Sequence, residues 1–108
     1  MAAVTVIYWR DIPAQVVVKQ GRRRARRELP QRFQQAIDRA AMRAKKITAD
    51  AYLDDWRLIK SAADGDDLEV IAERLATQLD ADYGPPRLEA IVRNHGLAPA
   101  AAAGIEEH

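Results

Sequence analysis

The first nine residues limit the fold more than any other part of the chain. Val4-Thr5-Val6-Ile7-Tyr8-Trp9 is rich in β-branched and aromatic side chains, which suits a strand. Alternation along it puts Val4, Val6 and Tyr8 on one face and Ile7 and Trp9 on the other, so both faces are apolar. Ala14-Gln15-Val16-Val17-Val18-Lys19-Gln20 reads as a second strand. Asp11-Ile12-Pro13 between them supplies turn chemistry, because proline fixes its own φ and donates nothing to a ladder. The pair is an antiparallel hairpin, and a two-stranded ribbon cannot cover apolar side chains on both of its faces. Helices must do so, or a second copy of the chain meeting an open edge.

The rest of the chain supplies helices. Gly21 ends the second strand, and Arg22–Arg27 follow as a junction towards Pro30, a residue suited to a first helical turn. From there Phe33, Ile37, Ala40, Ala41 and Ala44 recur at helical spacing, with Arg32, Arg39, Arg43 and Lys46 on another face. The alanines make this helix thin enough to lie close to a sheet. Thr48 and Asp50 supply a cap and a first-turn acid for a shorter helix carrying Tyr52, Leu53 and Trp56. Arg57–Ala63 either extends that helix or forms a connection. Asp66 with Glu69 three residues on has the form of a capping box. Leu68, Ile71, Ala72, Leu75, Leu79 and Tyr83 then form one apolar stripe, with Glu69, Glu73 and Asp80 turned outward. Gly84-Pro85-Pro86 stops this helix. Arg87–Arg93 forms a last short one, closed by Asn94-His95-Gly96.

The expected fold class is therefore α+β, an N-terminal antiparallel β-hairpin packed against three to four α-helices. Val6, Val16, Val18, Phe33, Ile37, Leu75 and Leu79 should share its core. Residues 1–97 form a single domain, and residues 98–108 read as a disordered alanine-rich tail.

Composition excludes several functions. Cysteine is absent, which rules out disulfides, thiolate metal sites and a cysteine nucleophile. No apolar run approaches the roughly 18 residues of a membrane span. Met1-Ala2-Ala3-Val4 lacks the basic start of a signal peptide, so a cytoplasmic location is expected. The net charge of +1 conceals an asymmetry. Residues 1–60 hold 14 Lys/Arg against 6 Asp/Glu (+8), and residues 61–108 hold 3 against 10 (−7). Such a split marks an interaction surface, or two halves attracting each other within one fold.

Arg22-Arg23-Arg24-Ala25-Arg26-Arg27 is the most unusual segment. Five guanidiniums in six residues repel one another unless carboxylates or phosphates sit nearby. One reading is a partner- or anion-binding site made with Arg10 and Lys19 and extended by the Arg39/Arg43 stripe. The other is a solvated junction neutralised by the acidic half. Nucleic acid fits less well, since the pI of about 8.1 is modest and no zinc-finger or RNP pattern occurs. Tyr8 and Trp9 beside Arg10-Asp11 either form a stacking pocket or pack in the core, with packing the simpler account. Asp64, Asp66, Asp67 and Glu69 fail the EF-hand test. Counted from Asp64, the positions needing Gly and Glu hold Glu69 and Leu75, so these acids read as helix caps and no metal site is expected. His95 and His108 stand apart, Ser61 is the sole serine, and no GxSxG, HExxH or P-loop spacing occurs. Nothing poises a base against a nucleophile, so the inventory does not make an enzyme acting alone.

Val6-Ile7-Tyr8-Trp9-Arg10-Asp11-Ile12-Pro13-Ala14-Gln15-Val16, then Lys19, Gly21-Arg22-Arg23-Arg24 and Leu29 through Met42, resemble the small domain family labelled "virulence factor". That domain also occurs within staphylococcal conserved virulence factor C proteins. The resemblance covers about residues 4–83 and is densest over 6–42. It implies no assigned chemistry, since the label describes a phenotype. Stand-alone members near folate- and corrinoid-linked genes imply an accessory role in one-carbon metabolism. Three functions remain open. The leading one is a non-enzymatic accessory module that binds a protein partner through the hairpin and the arginine-rich junction. The next is a binder of an anionic ligand, such as a nucleotide, a folate-type cofactor or nucleic acid, through the same arginines. The third is a subunit completing a shared active site. No bound cofactor is expected, and a homodimer would cover the second hairpin face.

Overall fold

The structure, a computed structural model, describes residues 1–46 and 48–98. The hairpin forms, with β1 (Ala2–Trp9) and β2 (Ile12–Gln20) antiparallel. Its turn is tighter than Asp11-Ile12-Pro13 suggested. Arg10 and Asp11 alone make it, with Arg10 at φ 54°, the left-handed region that two-residue hairpin turns use. Ile12 and Pro13 already belong to β2, opposite Trp9 and Tyr8. The spare residue, Ala14, is absorbed by a register shift, and its carbonyl accepts a hydrogen bond from the Leu29 amide at 3.0 Å.

Two further strands complete the sheet. β3 (Arg23–Glu28) pairs with β2, and β4 (Trp56–Ala63) pairs with β1, giving the antiparallel order β3-β2-β1-β4. The arginine run is thus an edge strand, not a junction. The cause is tertiary: the outer edge of β2 presents amides and carbonyls that need partners, and pairing with Arg23–Glu28 satisfies them. Ala25, the run's one apolar residue, is buried. Trp56 likewise opens β4 instead of continuing the helix before it.

The helices are α1 (Gln31–Arg43), α2 (Ala49–Leu53), α3 (Leu68–Asp82) and α4 (Pro85–Arg93). The Thr48 side chain caps α2 by accepting from the Ala51 amide. For α3 the cap is Asp67, one residue beyond the expected Asp66, and its carboxylate accepts from the Val70 amide at 3.2 Å. Pro85 and Pro86 occupy the first positions of α4, where their missing N–H groups leave no bond unmade. No helix among the described residues is long and apolar enough to cross a membrane. Of the expected tail over 98–108, all but Ala98 lies outside the described residues.

The expected single core divides into two clusters. One gathers Trp9, Ile12, Phe33, Ile37, Ala40, Leu88, Ile91 and Val92 where α1 and α4 meet the hairpin tip. The other joins Val4, Val16, Val18 and Ala25 of the sheet to Leu68, Ile71 and Ala72 of α3. Val6 and Leu75 are partly buried against the second cluster, and Leu79 touches both. α3 therefore covers one sheet face, and α1 and α4 close the end where the bulge lies.

Candidate functional site

Strand pairing decides which arginines can act together. The register sets the sheet's second face in three rows: Arg24, Lys19, Ala3 and Ala62; then Arg26, Val17, Thr5 and Lys60; then Glu28, Gln15, Ile7 and Leu58. None of these twelve side chains belongs to either core cluster. Thr5, Ile7, Gln15 and Val17 are half-buried by their neighbours in the sheet, and the rest are exposed. Four cations face one carboxylate. Among the described residues Lys19, Arg24, Arg26 and Lys60 make no ion pair. The amide oxygen of Gln15 is buried without a hydrogen-bond partner on this face.

The other arginines of the run point the opposite way. Arg27 bridges Glu69 at 2.7 Å and Glu73 at 3.0 Å on α3, and both carboxylates hold its pKa above the usual value. Arg23 donates to the Asp66 carbonyl at 2.8 Å and to Gln20 at 2.7 Å. Alternation along one strand has thus divided the run, with Arg27 tying the sheet to α3, Arg23 tying it to the segment just before α3, and Arg24 and Arg26 facing outward. Arg22 lies in the turn after Gly21 and is exposed.

The remaining candidates lie elsewhere. Arg10 bridges Asp55 at 3.1 Å, donates to the His95 carbonyl at 2.8 Å and stacks over Trp9, so it clamps the hairpin tip. Trp9 is fully buried and donates its indole N–H to the Tyr52 carbonyl at 2.8 Å. Tyr8 lies on the α3 side of the sheet with Arg57 over its ring. Arg39 pairs with Glu89 on α4 at 2.9 Å, which draws it into helix packing, and Arg43 ends α1 in solvent. The expected extension of the arginine run by the Arg39/Arg43 stripe is not part of the sheet-face grouping.

Lys60 is the basic residue that sequence reasoning missed. Around it Leu58-Ile59-Lys60-Ser61-Ala62-Ala63 shows no apolar-polar alternation, and an edge strand exposed on both faces lacks the period that would separate it from a loop. Among the described residues no cluster of His, Asp or Glu suits a metal ion.

The model of the family described as "Virulence factor" matches residues 7–92. The chain belongs to that family. The matched span begins near the end of β1 and stops one residue short of the end of α4, so it takes in β2, β3, β4 and all the first core cluster but not Ala2 and Val4 of the second. No curated protein and no solved structure matches the chain.

Proposed function

We propose that this virulence-factor domain is a non-enzymatic interaction module that docks an acidic protein surface on the open face of its sheet. The observation that carries the reading is the three-row register, which sets Arg26 and Lys60 at the two ends of the Val17–Thr5 row, Arg24 and Lys19 in the row on one side of it and Ile7 in the row on the other. Guanidinium and ammonium groups without partners receive carboxylates, and the half-buried apolar centre supplies area to exclude water from them. A protein fits better than single-stranded nucleic acid, because none of the twelve side chains is aromatic and bases would have nothing to stack on.

The test compares capture from the native cell by the wild-type chain, by Arg24→Gln/Arg26→Gln/Lys60→Gln and by the control Arg43→Gln. A photoreactive residue at position 17 reports what touches the face. The expected result is an acidic protein segment cross-linked to the wild type and the control and lost from the triple variant. Equal capture by the triple variant overturns the reading, as does cross-linked material that nuclease removes.

A further inference from the structure

A second site lies on the opposite side of the sheet, where β1 and β4 meet the α3–α4 corner. Tyr8, Arg57, Ile59, Tyr83, Arg87 and Ala90 enclose a cavity of about 420 Å³, within the roughly 300–1,000 Å³ of small-molecule sites. Arg87 lies over the Tyr83 ring at 4.1 Å and donates to the Asp82 carbonyl at 2.9 Å, and no carboxylate neutralises it among the described residues. Arg57 lies over the Tyr8 ring at 5.5 Å. It bridges Asp11 at 2.7 Å and donates from Nε to the Arg10 carbonyl at 2.8 Å. Asp11 is itself engaged, since it also accepts from the Ala98 amide. The site therefore holds two guanidiniums against one occupied carboxylate. Ile59 belongs to neither core cluster and is 44% exposed although it lies on the helix-covered side.

We infer that this cavity binds a small amphiphilic anion, with a carboxylate or phosphate held between Arg87 and Arg57 and a flat apolar body against Ile59 and Ala90. Each feature answers one part of such a ligand. The ring under Arg87 holds that guanidinium in place without neutralising it, so it keeps its N–H groups for an anion. The Tyr8 phenol, kept neutral by burial and by the adjacent Tyr83, offers a hydrogen bond and adds no negative charge. The apolar wall gains from covering a flat body. This site shares no residue with the open sheet face, so the two proposals stand or fall separately.

The experiment is an NMR titration of the full chain with naphthoate, naphthyl phosphate and the neutral isostere naphthamide. Saturable shifts centred on Ile59, Tyr83 and Ala90 are expected with either anion. Naphthamide should bind at least about tenfold more weakly, as loss of a charged hydrogen bond implies. Arg87→Gln should weaken anion binding by about tenfold, and Arg24→Gln should leave it unchanged. Ala90 is exposed, so Ala90→Leu fills the cavity at little risk to the fold and should abolish binding even if Arg87→Gln proves unstable. The proposal is overturned by absence of saturable shifts, by naphthamide binding as tightly as the anions, or by full affinity in Ala90→Leu.

Discussion

Trp9, Arg10 and Gly96 meet at the hairpin tip, and the backbone of Gly96 leaves no room for a side chain there. A Cβ added at Gly96 would stand 2.8 Å from Cζ3 of Trp9 and 3.3 Å from the Ala40 Cβ, and φ is +90°. The Gly96 carbonyl also accepts from the Asp11 amide at 2.9 Å, so the backbone cannot simply move away. Gly96→Ala should destabilise by about 1–3 kcal/mol from overpacking alone, read by chemical denaturation. Tyr8 offers a titration at the same scale. Burial, and then the neighbouring Tyr83, raise its pKa above the ordinary 10.0, with Arg57 and Arg87 opposing. A raised folded-state pKa favours the neutral phenol in the native state. The resulting stability is full below 10.0 and falls as pH rises through the higher value. Phenolate absorbance should show one of the three tyrosines ionising late. Tyr8→Phe should reduce the loss of stability at alkaline pH.

The elements divide their work between the two clusters. α1 anchors the first through Phe33 and Ile37, both almost fully buried, with Phe33 edge-on to Tyr83 at 6.2 Å. Phe33→Ala should cost on the order of 3–5 kcal/mol. A near-neutral result would mean that α1 does not pack on the hairpin end. Leu75 of α3 is only partly buried against the second cluster, so Leu75→Ala should cost distinctly less. β3 is held differently, since apart from its ladder it contributes Ala25 to the core and ion pairs to the helix above. Arg27→Gln should lower the melting temperature slightly, and the difference should shrink at about 1 M salt, where the Debye length is about 3 Å.

Across the whole molecule, the basic and acidic halves of the chain fold onto each other. Arg27 with Glu69 and Glu73, Arg32 with Asp80 and Arg39 with Glu89 each join the first half to the second. Among the cations this pairing leaves over are the four of the basic sheet face. Arg22→Gln/Arg24→Gln/Arg26→Gln should leave the melting temperature unchanged or raise it, because exposed like charges oppose folding weakly if at all. Unfolding of that variant in calorimetry would return these arginines to the fold and remove the proposed docking face. The same face bears on self-association. Two copies meeting through it would set like charges against each other, so sedimentation at high concentration should show no dimer through this face.

The sequence by itself determined the elements whose side chains repeat with a period. Strand alternation and turn chemistry specified the hairpin, the 3.6-residue apolar stripes specified α1 and α3, and the prolines and Gly96 bounded α4. It also showed that a two-stranded hairpin could not by itself cover the apolar side chains on both faces of its first strand. β3 and β4 had no such signal. A run of arginines with one alanine becomes a strand only because the edge of β2 needs partners, and β4 is exposed on both faces, so no apolar period marks it. Tertiary structure then decided the sites. Strand parity sent Arg23 and Arg27 to the α3 side of the sheet while Arg24 and Arg26 joined Lys19 and Lys60, a grouping set by register across three turns and connections. The cavity draws on Tyr8, Ile59, Tyr83 and Arg87, and residues so far apart in the chain share no local pattern. Their proximity follows from how α3 and α4 settle on the sheet, which is a property of packing and not of spacing.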